Sequence, residues 1–85
     1  MTDAELKRER AKMDRLDVRL RDLLIRRRKL ALHIIKRKKR SGRARWDGAR
    51  EVAILRRVTK GKSAPERRYL AAIYGKIFSI TKNSD

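Results

Sequence analysis

Apolar residues recur every three or four positions from Leu6 to Ile35, and neither Gly nor Pro interrupts residues 6–40. Good helix formers dominate that stretch. The pattern predicts one long helix of about 34 residues, roughly 50 Å at 1.5 Å per residue. Ser41-Gly42 is its stop signal, and the run Lys36-Arg37-Lys38-Lys39-Arg40 falls in its last turns, where cations complement the helix dipole. Residues 41–47 read as a loop. Asp47 is a suitable N-cap for a second, shorter helix over about 48–60, carrying Val52, Ala53, Leu55 and Val58. Lys60-Gly61-Lys62 ends it. Ser63-Ala64-Pro65-Glu66 is a capping-box pattern with Pro in the first turn, so a third helix starts there. It carries Leu70, Ile73, Tyr74, Ile77 and Thr81 along one stripe. Strand-like alternation and internal repeats are absent. The expected fold class is all-α, with one long and two shorter helices per chain.

The helix lengths do not match. Two helices of about 18 to 24 Å cannot cover one of about 50 Å. Much of the long apolar stripe stays wet in a single chain, and a dimer in which two long helices pair is the economical solution.

The stripe itself carries charge. Steps of three and four from position 10 run through Arg10, Met13, Asp17, Leu20, Leu24, Arg27, Ala31, Ile34 and Lys38, flanked by Leu16, Leu23, Leu30 and Ile35. The apolar members mark a heptad-like seam. Arg10, Asp17, Arg27 and Lys38 lie on it, and charges on a buried seam are costly unless paired. Two readings stand. The seam cations snorkel or pair with Asp17 and set helix register, or they line an inward pocket for a small anion with more than one negative group. Arg10 and Lys38 are about 42 Å apart along one helix, too far to hold one small molecule within a chain. Arg27 and Lys38, about 16 Å apart, are spaced to line opposite ends of a small pocket. Antiparallel pairing would bring Arg10 of one chain near the Arg27–Lys38 region of the other, giving two equivalent sites.

Composition narrows the field. The chain has 85 residues, one His, no Cys and a formal net charge of +17. Disulfides and cysteine-ligated metal or haem sites are excluded, and a His-based zinc site is disfavoured. No apolar run approaches the roughly 20 residues of a membrane span. The polar start Met1-Thr2-Asp3-Ala4-Glu5 shows no secretory signal, so a cytoplasmic protein is expected. The charge points to an anionic partner, with nucleic acid the common choice. Trp46, Tyr69, Tyr74 and Phe78 are the only aromatic residues, too few for a base-stacking platform.

The segment Arg10-xx-Met13-Asp14-xx-Asp17-xx-Leu20-xx-Leu23-Leu24-xx-Arg27-xx-Leu30-Ala31, followed by Lys38 and by Asp47-xx-Arg50-Glu51, resembles the all-helical, AroQ-type chorismate mutases. The match runs without a gap through residues 6–58 and more loosely through 64–85. The resemblance implies an intertwined helical homodimer with active sites shared between chains. It implies rearrangement of chorismate, a dicarboxylate, to prephenate on the route to phenylalanine and tyrosine, without cofactor or metal. By position, Arg10 from the partner chain and Arg27 would hold the two carboxylates as planar forks. Lys38 would donate to the ether oxygen. Glu51 would accept from the substrate hydroxyl near the backbone N–H of Asp47, with Arg50 supporting the same wall. The reaction is unimolecular, so no nucleophile or general base is needed.

The third helix departs from the family pattern. The usual Ser and, four residues later, Gln or Glu correspond to Thr81 and Asp85. Thr81 keeps the hydroxyl, whereas Asp85 is shorter and acidic. Trp46 reads as a hydrophobic staple, His33 as packing or surface, Tyr74 and Phe78 as core. Asp14 and Asp17 are expected to pair with nearby Arg. Two alternatives remain: an isochorismate-pyruvate lyase on the same fold, and a basic helical nucleic-acid-binding protein on a mutase-like scaffold. Lys38 and a full-length 41–47 loop are the more mutase-like features.

Overall fold

A computed structural model describes residues 1–40, 42 and 47–83 of the chain. They form three helices: α1 (Asp3–Arg40), α2 (Gly48–Thr59) and α3 (Ala64–Lys82). Local chemistry explains each boundary. α1 begins before residue 6, the expected start, because Thr2 caps it. The Thr2 hydroxyl accepts from the Glu5 N–H at 3.1 Å, and its carbonyl accepts from the Leu6 N–H at 2.9 Å. Beyond the last turn, Gly42 adopts φ 73° and its N–H donates to the Lys39 carbonyl at 3.2 Å. That left-handed conformation is open to glycine at little cost.

Asp47 opens α2 as expected, its carboxylate accepting from the Arg50 N–H at 3.0 Å. The helix closes at Thr59, one residue inside the expected limit, and the chain turns through Gly61, also at φ 73°. At α3 the capping box forms in full. The Ser63 Oγ accepts from the Glu66 N–H at 3.2 Å, and the Ser63 N–H donates to the Glu66 carboxylate at 3.0 Å. The Ser63 backbone donor, then its hydroxyl, hold the Glu66 carboxyl below its ordinary pKa, with Lys62 adding to the effect and burial opposing it.

The chain divides into two compact units, Met1–Leu30 and Ala31–Asp85. The first is a length of α1. Nothing in it is buried, and its seam residues Met13, Leu20, Leu23 and Leu30 are 59%, 53%, 59% and 61% exposed. Its ion pairs are local: Lys12 with Glu9 at 2.9 Å and Arg21 with Asp22 at 3.0 Å. Among the described residues, the pairings expected of Asp14 and Asp17 with nearby Arg are not found, and Arg21 engages its neighbour Asp22. In the second unit α2 packs against α3. Ile54, Leu55 and Val58 of α2 are half-buried, as are Leu70, Tyr74, Ile77 and Phe78 of α3. The Tyr74 and Phe78 rings meet at 5.8 Å with a 57° tilt, and both are half-buried rather than enclosed in a core. Half-covering an aliphatic side chain supplies on the order of 1 kcal/mol, and this unit gathers several. No described helix is long and apolar enough to cross a membrane.

Candidate functional site

Burial separates a few charged side chains from the rest. In the first unit every charged residue is exposed except Arg27, which is half-buried. Among the described residues of the second unit, Lys38 and Glu51 are the charged side chains with the same partial cover. Each makes at least one polar or electrostatic interaction. The flanking cations Arg26, Arg28, Arg37 and Lys39 are exposed. The contrast is therefore one of position, since the neighbours have the same chemistry and lie one residue away. The helix period decides which side chain turns inward.

In the second unit the covered polar groups terminate apolar stripes. Ala31, Ile35 and Lys38 follow one another at steps of four and three on α1, with Lys38 last. Glu51 opens the half-buried stripe that continues through Ile54, Leu55 and Val58 on α2. Thr81 ends the stripe of Leu70, Tyr74 and Ile77 on α3 and is itself half-buried. A charge at the end of a stripe keeps its stem in contact with hydrocarbon while its head stays in a wetter setting. Such a cation is held in a restricted direction. That is what electrostatic stabilisation of a developing negative charge requires.

The other expected site residues are more open. Arg10 is exposed and lines a shallow depression on α1 with Asp3, Leu6, Lys7, Ala11 and Asp14. Asp47 and Arg50 are exposed, and the Asp47 carboxylate is committed to capping α2. That cap, with the Glu51 N–H donating to the Asp47 carbonyl at 3.2 Å, fixes the first turn that presents Glu51. Asp85, Trp46 and most of the 41–47 loop lie outside the described residues. His33 is exposed, in line with a surface role. Thr59 is a half-buried polar residue absent from the expected set. Its hydroxyl donates to the Leu55 carbonyl at 2.6 Å, so it serves its own helix.

The chain matches the family described as chorismate mutase type II over residues 9–85. No curated protein and no solved structure matches it. The matched span includes every expected site residue from Arg10 to Asp85.

Proposed function

We propose that this chain, which belongs to the chorismate mutase type II family, rearranges chorismate to prephenate on the route to phenylalanine and tyrosine. Residues 1–85 act as one mutase-like helical domain in an intertwined homodimer with shared active sites. The observation that carries the reading is the half-burial of Arg27 and Lys38 among exposed neighbours of like charge, together with that of Glu51 on α2.

The reaction is an intramolecular Claisen rearrangement. The ether C–O bond breaks as a C–C bond forms, with no proton transfer and no cofactor. The protein has two tasks. It holds the compact chair conformer, which lowers the entropic part of the barrier. It also stabilises negative charge growing on the ether oxygen. Arg27 and Arg10 of the partner subunit grip the two carboxylates, the guanidinium fork matching the carboxylate plane. Lys38 donates to the ether oxygen. Glu51 accepts from the ring hydroxyl, beside the Asp47 N–H and the wall that Arg50 supports. Thr81 offers a hydroxyl at the inner edge. Asp85, where the family usually has Gln or Glu, aids the ether oxygen only when protonated or when Lys38 offsets its charge.

The test is chorismate consumption by the purified chain, with product identified by chromatography. Prephenate is expected. Lys38→Ala should lower kcat by about 10² to 10³, the usual effect of removing one such donor, while Lys39→Ala leaves it unchanged. Pyruvate and salicylate from isochorismate would reassign the chain to the lyase reaction. A folded dimer that turns over neither substrate would overturn the proposal.

A further inference from the structure

Six of the eleven cations of the first unit share one face of the helix. Arg8, Lys12, Arg15, Arg19, Arg26 and Lys29 follow steps of four, three, four, seven and three, and all are exposed. At 100° per residue they fall within a sector of about 100°, centred about a third of a turn from the apolar seam. They span roughly 32 Å of helix. Asp22 interrupts the line, and its carboxylate is already engaged by Arg21. Of the six cations on the line, Lys12 alone enters an ion pair among the described residues, with Glu9. None of the residues assigned to the chorismate site lies on this line, so it does not depend on that reading. Covering the seam with a second chain leaves the line facing outward.

We infer that this line is a docking surface for double-stranded nucleic acid, bound through its phosphate backbone without regard to sequence. Four features select that partner. A duplex carries one phosphate charge per about 1.7 Å of axis, both strands counted, a dense anionic field along which a rigid helical row of cations can lie. Arginine predominates in the row, and its fork grips phosphate in two directions. The first unit contains no aromatic residue, so stacking on unpaired bases is unavailable. A lipid surface would call for a broad apolar face interleaved with the cations, whereas most of the larger apolar side chains of this unit gather on the seam, Val18 and Ile25 lying off it.

The experiment is fluorescence anisotropy of the full chain with a fluorescein-labelled 24-base-pair DNA duplex between 50 and 200 mM salt. With all of these cations on phosphate, log K should fall against log salt with a slope of about −5, a loss of about 10³-fold over that range. The combined variant Arg8→Gln, Arg15→Gln, Arg19→Gln, Arg26→Gln should flatten the slope by about 3.6 and keep its helicity and its chorismate turnover. A second variant of equal net charge, Arg56→Gln, Arg57→Gln, Arg68→Gln, Lys76→Gln, should retain the original slope. Equal flattening in both variants would show that net charge alone binds, and would overturn the inference. So would absence of binding at 50 mM salt, or binding to phosphatidylglycerol vesicles with none to the duplex. Loss of turnover with duplex binding intact would count against the mutase reading alone.

Discussion

In the second unit, Ile54, Leu55, Val58, Leu70, Ile77 and Phe78 are half-covered by a chain that folds back on itself as α2 and α3. In the first, Met13, Leu20, Leu23 and Leu30 keep more than half of their surface in solvent, although their spacing is equally regular. The same heptad-like signal thus has two outcomes. Where the chain supplies a neighbouring helix, the stripe is partly satisfied within one copy. Where it does not, the stripe is complete as a pattern and bare as a surface. In proteins most helical stability comes from packing of the apolar face. The first unit therefore needs a cover from outside itself. A second copy, presenting the same stripe to itself, is the cover consistent with the proposed shared sites.

Several measurements would break or sharpen this contrast. The largest effect is expected from Leu20→Asp, which puts a charge on the bare seam. If two copies meet there, each buries an unpaired carboxylate at a cost of about 3 kcal/mol or more. The dimer should dissociate in sedimentation velocity, and helicity should fall with it. Val18→Asp, on the same helix but off the seam, should leave both unchanged. Equal behaviour of the two variants would remove the case for a covered seam.

Next comes complementation between the units. Arg10→Ala and Lys38→Ala should each be nearly inactive alone. If Arg10 acts across the dimer, a mixed dimer holds one wild-type site and one doubly altered site. An equimolar, re-equilibrated mixture should then recover about a quarter of wild-type turnover, since half the dimers are mixed and each has one intact site. No recovery would place Arg10 and Lys38 in the same chain's site, or Arg10 in none.

Smaller effects belong to the second unit's local chemistry. Ser63→Ala removes the cap of α3 and should cost about 1 kcal/mol in a denaturant melt. The smallest is a pH effect. The Glu66 carboxyl is held below its ordinary pKa by Ser63. Its contribution is therefore present above the unfolded-state value and is lost as pH falls through the folded one. The gap in melting temperature between wild type and Glu66→Gln should close between pH 7 and pH 3. A gap that persists at pH 3 would assign the stabilisation to something other than the charged capping box.

The comparison also explains what could be read from sequence. The starts of α2 and α3 were legible because Asp47 and the Ser63–Glu66 box act within four residues of themselves. The start of α1 is legible too: Thr2 and Glu5 stand at capping-box spacing, and the Glu5 N–H donates to the Thr2 hydroxyl. The site was legible as far as helix periodicity reaches. Arg27 and Lys38 stand out from spacing and Glu51 from the family resemblance, and these three are the partly covered charges among the described residues. Arg10 stands out by the same logic, yet it is exposed. Periodicity says which way a side chain faces; it does not say what stands opposite.

One feature of the fold bears on how the protein melts. No residue among those described is buried in a single chain. Heat capacity rises on unfolding because hydrocarbon is newly wetted, and a lone chain has little dry hydrocarbon to give up. Its calorimetric trace should be shallow and broad, with a small step between the two baselines. Association is what creates the dry surface, so both the step and the sharpness of the endotherm should grow as protein concentration is raised.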